Sequence, residues 1–126
     1  RRGTRAGHAI CCCATSLLRD IVEWAARFAG HLRGVTQDGF LADPLMQDAV
    51  TRCVEVVGEA SGRSLAEPLD PTLAPREPAL KAAYLTRNRL AHGYADIIPR
   101  VLWDTATISV PALAAAVQAV MQRTPP

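Results

Sequence analysis

The chain has 126 residues and a mass of 13.5 kDa, with 49% apolar residues, 21% charged residues and a formal charge of +2. Those values exclude a wholly disordered or fibrous chain and set the expectation of one globular domain large enough for its own core. The charge is distributed unevenly, +4 over residues 1–37, −5 over 38–70 and +3 over 71–126, which excludes a uniformly basic nucleic-acid coat but leaves room for a local basic patch.

Aromatic residues make up only 5% of the chain, so the core must be built from Ala, Leu, Val and Ile, a composition that favours helices. No uninterrupted apolar run approaches the roughly 18 residues of a membrane span. Residues 1–14 are expected to form a poorly ordered tail, with the folded domain over 15–126. Cys11, Cys12 and Cys13 are adjacent and lack the spacing of a zinc knuckle. With Cys53 far away, a disulfide framework does not follow either, and a reduced, cytoplasmic chain is the simplest expectation.

From Thr15 the pattern is helical. Leu17, Leu18, Ile21, Trp24, Ala25, Phe28 and Leu32 recur at spacings of three and four. Thr15 or Ser16 can cap this helix and Gly34 can end it. Residues 34–43 read as a connector. Asp43-Pro44 then opens a second helix, Asp as N-cap and Pro at the first helical position. It is expected to run to about Arg63 with a stripe of Leu45, Met46, Ala49, Val50, Cys53, Val56, Val57 and Ala60. Asp48–Arg52 and Glu59–Arg63 are spaced as ion pairs on its solvated face. Gly58 inside it costs about 1 kcal/mol against Ala, which a close helix crossing would explain. Residues 64–78 carry Pro68, Pro71, Pro75 and Pro78 and read as a loop. A third helix is expected from near Pro78 to about His92, with Gly93 to stop it. A fourth stretch covers Ile98 to about Thr107, and Pro111 is placed to open a last helix with Leu113, Val117, Val120 and Met121 inside. Nothing reads as a strand, so the expected fold is all-α, an antiparallel up-and-down bundle of four to five helices.

One stretch concentrates chemistry: Arg87-Asn88-Arg89-Leu90-Ala91-His92-Gly93-Tyr94. Arg offers a planar fork of donors to a phosphate, and His exchanges a proton near neutral pH. Five residues separate Arg87 from His92, about 140° around a regular helix, so both cannot point into one core. The pair suits phosphodiester cleavage, with Asn88 as an orienting group and Tyr94 as a further hydroxyl, while Arg89 is either a contact to nucleic-acid backbone or a solvated cation. Read from the residues alone, capping a helix end and covering the core is the simpler role for them. His8 and His31 stand apart from this stretch, and Trp24 and Trp103 are expected in the core.

The stretch is similar to the Arg-x4-His-x-Tyr signature of HEPN-domain proteins, specifically the HepT-like toxins. The resemblance extends to Leu18-Arg19-Asp20-Ile21, Phe40-Leu41-Ala42-Asp43, Gln47-Asp48-Ala49-Val50, the segment Arg52 to Ala60, Trp103-Asp104-Thr105 and Pro111-Ala112-Leu113. About 110 of the 126 residues align in order. Two features depart from it: Pro78 to Tyr84 lacks the apolar-Trp segment common before the signature, and residues 1–14 have no counterpart.

The resemblance implies a HEPN-like bundle that forms a homodimer, with both signatures lining one cleft. It implies a toxin of a type II toxin–antitoxin pair, a ribonuclease that needs neither metal nor cofactor, with Arg87, His92 and Asn88 as catalytic residues. It further implies a partner, an MntA-like nucleotidyltransferase antitoxin that neutralises the toxin by AMPylation of Tyr94. No membrane association is expected. The alternative reading is a non-catalytic helical module that binds a nucleotide or a protein, since fold does not fix function.

Overall fold

A computed structural model describes the backbone of residues 2–66, 74–91 and 99–123, with side chains from Ser16 to Gln122 within those ranges. His92, Tyr94 and Cys11–Cys13 lie outside the described side chains. Six α-helices follow in order: α1 (Arg2–Leu32), α2 (Gln37–Leu41), α3 (Pro44–Leu65), α4 (Glu77–Ala91), α5 (Pro99–Asp104) and α6 (Val110–Arg123). A 3₁₀ turn over Ala74–Arg76 leads into α4, and a π-helical turn over Thr105–Ser109 joins α5 to α6. No strand occurs among the described residues. The architecture is the expected all-α, up-and-down bundle, in which α3 is central, packed most extensively on α4 and α1, while α6 closes over α1.

The local causes are legible. Asp43 is the N-cap of α3, its carboxylate accepting from the Met46 amide at 3.1 Å, with Pro44 at the first helical position. The connector over 34–43 contains a helix that the sequence pattern missed. Thr36 caps α2 by accepting from the Gly39 amide, and the fully buried Phe40 gives this short element its anchor. Phe40 meets Trp103 of α5 with ring centroids 5.3 Å apart, a tilted aromatic contact. α1 begins at Arg2, so Thr15 and Ser16 lie inside the helix and do not cap it. No proline interrupts residues 2–32, and nothing local forces a break at Thr15.

Pro111 lies in the first turn of the last helix, as expected, but that helix is not a separate element. Residues 99–123 form one continuous rod, and Pro111 sits near the start of α6. Proline has no N–H to continue the α pattern. The ladder shifts immediately before it, where the Val110 N–H donates to the Thr105 carbonyl five residues back, the bond of a π turn. The rod is long and apolar enough by composition to cross a bilayer. One face of it, Leu102, Ala106, Val110, Leu113, Val117 and Val120, is nevertheless built into the core.

The core joins these residues to Leu18, Ile21 and Phe28 of α1, to Val50, Cys53, Val54, Val57 and Ala60 of α3, and to Leu80 of α4. Trp24 and Trp103 are packed against this core but only partly buried, and Arg27 lies over the Trp24 ring at 4.3 Å. Leu45, expected on the α3 stripe, is 79% exposed, while Val54, outside that stripe, is buried. In the first turn of α3 it is Met46, not Leu45, that packs against the core. Two buried serines, Ser61 and Ser64, donate to the Val57 and Ser61 carbonyls at 2.8 and 2.7 Å, which removes the cost of burying their hydroxyls.

Candidate active site at the crossing of two helices

The site starts from two glycines one helical turn apart in α3. A Cβ on Gly58 would collide with the Arg87 Cβ and lie 2.7 Å from the Ala83 carbonyl oxygen. A Cβ on Gly62 would collide with one edge of the Tyr84 ring. The missing side chains are therefore what lets α4 approach α3 so closely, as the interior glycine suggested. The close approach fixes the backbone under Arg87, while Leu80, fully buried, anchors the start of the same helix.

From that point the Arg87 side chain runs out of the seam to a surface where it is about one-third exposed. Its Nη2 lies 2.9 Å from Glu59 Oε1. Its Nη1 donates to Asn88 Oδ1 at 3.1 Å. Two charged or polar oxygens thus hold the two ends of the guanidinium, in the geometry that charge-assisted pairs prefer. Glu59 does not pair with Arg63, as the i,i+4 spacing suggested, but reaches across to α4. Arg52 likewise pairs with Glu55 at 4.0 Å and not with Asp48. These are the ion pairs present among the described residues. Glu59 neighbours Gly58 in sequence, so its carboxylate emerges where the helices are closest. Spacing along one helix could not reveal a partner on another.

Arg87 and Glu59 open onto a groove between α1, α3 and α4, whose charged lining alternates Arg52, Arg63 and Arg87 with Asp20, Glu55 and Glu59. The groove is balanced in sign rather than basic. Asn88 is half-buried beside Arg87, and Arg89 is exposed on another face of α4. The structure thus brings Arg87 and Asn88 together and separates Arg89 from them. His92 and Tyr94 follow the last described residue of α4 and lie outside the described residues. Among the described residues no group of three or more His, Cys, Asp and Glu side chains is placed to hold a metal ion. Cys53 is buried in the core, and burial pushes its thiol pKa up, opposed by the positive charges of Arg27 and Arg52.

The family model described as "Ribonuclease HepT-like" matches residues 18–120, a span from the first core residue of α1 to the last of α6 that includes the Arg87–Tyr94 stretch. A protein of Thermococcus cleftensis named "Probable ribonuclease HepT" is 35% identical over 97 residues, which cover 76% of this chain and 84% of that protein. A protein of Caldanaerobacter subterraneus subsp. tengcongensis named "Putative RNase TTE0752" is 26% identical over 110 residues, 84% of this chain and 92% of its own length. No solved structure matches the chain significantly. With most of its length covered by the family model and by a relative above 30% identity, the chain belongs to the HepT-like ribonuclease family.

Proposed function

We propose that this protein is a metal-independent endoribonuclease, the toxin of a type II toxin–antitoxin pair, acting in the cytoplasm as a homodimer. The observation that carries the reading is Arg87, a cation held at a glycine-made helix crossing by Glu59 and Asn88, five residues before His92 in a HepT-like chain.

In the proposed reaction the ribose 2′-oxygen attacks the neighbouring phosphorus as its proton passes to His92. The P–O5′ bond breaks, and the 5′-oxygen leaves with a proton from the His92 of the second subunit or from water. The products are a 2′,3′-cyclic phosphate and a 5′-hydroxyl. Arg87 stabilises the charge that grows on the phosphorane oxygens, a contribution that is usually the largest in such a site. Asn88 orients Arg87, and Arg89, exposed on another face, takes an RNA phosphate outside the cleft. Two signatures facing each other would supply an acid and a base at once, which is why the dimer is part of the reading.

The partner is an MntA-like nucleotidyltransferase. It joins the Tyr94 hydroxyl oxygen to the α-phosphate of ATP and releases pyrophosphate. The added AMP brings negative charge and bulk to the place the RNA must occupy, and can take Arg87 away from substrate.

The test is single-turnover cleavage of a defined RNA in EDTA by wild type, Arg87→Ala and His92→Ala. Wild type should cleave, and each variant should lose about 100-fold or more, the scale of a lost acid–base or charge-stabilising group. Undiminished cleavage in both variants overturns the roles of Arg87 and His92, cleavage by wild type only when a divalent metal is supplied overturns metal independence, and no cleavage with or without metal overturns the nuclease reading in favour of a binding module. Incubation with the nucleotidyltransferase and ATP should add AMP-sized mass increments to wild type but not to Tyr94→Phe. Equal increments on both would move the modification to another residue.

A further inference from the structure

We propose that Glu59 is a positioning residue for Arg87, one that sets the direction of the guanidinium without touching the RNA. The inference rests on the reading of Arg87 as the charge-stabilising group in cleavage. Arginine has a long stem with four rotatable bonds, and a fixed backbone does not by itself aim the planar head. Here the backbone under Arg87 is fixed by Gly58, and the head is gripped at both ends, Nη2 by Glu59 and Nη1 by Asn88. A guanidinium carries five donor hydrogens. These two contacts engage two of them and leave Nε–H and one hydrogen on each terminal nitrogen for a phosphate.

The adjacency of Gly58 and Glu59 gives the arrangement its logic. One residue makes the crossing close enough, and the next uses that closeness to reach the arginine. Stability does not account for the pair, because the Glu59 side chain is 51% exposed and the Arg87 side chain 33% exposed, and pairs so open to water contribute little to folding. What such a contact can do is narrow the orientations of a side chain that must meet a transient charge. A group aligned for the transition state affects turnover more than substrate binding.

Glu59→Gln keeps the shape and the acceptor oxygen while removing the charge; Glu59→Ala removes all three. The measurements are kcat and KM for cleavage of a defined RNA, with thermal melts to confirm folding and nitrogen-15 NMR of the arginine side chains. Glu59→Ala should lower kcat by about tenfold or more with KM within twofold, and Glu59→Gln should fall between it and wild type. In an Arg87→Ala background, Glu59→Ala should change the residual rate by less than twofold, since there is no guanidinium left to aim. Wild type should show restricted rotation of the Arg87 guanidinium, and Glu59→Ala should release it.

Wild-type kinetics and unchanged Arg87 rotation in Glu59→Ala, with Arg87→Ala inactive, would overturn this proposal and leave the site reading standing. A faster Glu59→Ala would also overturn it and make Glu59 a competitor of the RNA phosphate. An equal loss in both backgrounds would give Glu59 a role of its own and overturn it as well. Arg87→Ala with wild-type cleavage would overturn the site reading itself, and the positioning role with it.

Discussion

The seam between α3 and α4 and the rod formed by α5, the π turn and α6 are held by opposite means. At the seam two glycines remove side chains so that backbones meet, and α4 buries a single residue, Leu80, fully. The rod lays six side chains into the core and leaves apolar residues such as Val101 and Ile108 outside, 47% and 65% exposed. The seam therefore has little slack and fixes the backbone under Arg87, whereas the rod spreads its attachment over many contacts and can absorb change. A tight backbone crossing fixes the point from which the Arg87 side chain sets out in a way that an apolar stripe cannot.

The comparison is broken most strongly at Leu80. Leu80→Ala should cost about 2–5 kcal/mol, the range for a buried leucine whose cavity does not collapse, because α4 has no second fully buried side chain to compensate. Chemical denaturation reads the loss directly. A cost below about 1 kcal/mol would show that α4 is held by its glycine contacts alone.

Gly58→Ala should come next. Overpacking typically costs about 1–3 kcal/mol, against which the better helix propensity of Ala returns about 1 kcal/mol. A net loss of about 1 kcal/mol is expected, with RNA cleavage falling further than stability because Arg87 shifts with α4. Gly62→Ala faces the ring of Tyr84, a partly exposed side chain that can turn aside, so it should be milder. If Gly62→Ala proves the more damaging, the crossing is centred one turn further along than the close contact with Arg87 implies.

Cys53 offers a pH handle on the side of α3 that faces the core. Burial raises its thiol pKa in the folded state, so the unfolded chain loses the proton first as pH rises. The folded state then holds more protons than the unfolded one, and stability falls with pH above the ordinary thiol value of about 8.5. Below that value the contribution is fully present. Melting temperatures from pH 7.5 to 10 should decline more steeply for wild type than for Cys53→Ala, and parallel profiles would place the alkaline loss elsewhere.

The smallest effect is expected on the rod. Ile108→Ser removes an exposed side chain and should change the stability of the protomer by no more than about 0.5 kcal/mol. It sharpens the contrast when paired with light scattering. A large shift in oligomeric state with little change in protomer stability would assign the outer face of the rod to the interface of the proposed homodimer.

How much of this was legible beforehand differs by element. Asp43-Pro44 announced the start of α3, and the stripes of α1 and α6 marked Ile21, Phe28, Leu113 and Val117 as core, because capping and periodicity act within a few residues. The interior Gly58 announced a close crossing, since a glycine in mid-helix demands a reason. Arg87, Asn88, Arg89, His92 and Tyr94 stood out by residue type and spacing. The helix over 37–41 was missed because its stability comes from Phe40 reaching Trp103, a contact some 60 residues away in sequence.

The all-α class, the capped start of α3, most core stripes and the clustering of Arg, Asn and His over 87–92 could be read from the chain alone, because each depends on near neighbours. It took the folded chain to show that Arg87 is the residue over Gly58, that Glu59 turns away from Arg63 to meet it, and that Pro111 lies within a continuous rod. Each of those is settled by what another segment brings to the same place. Ion-pair partners in particular are chosen by distance in space, and the i,i+4 rule describes only the partner available when a helix stands alone.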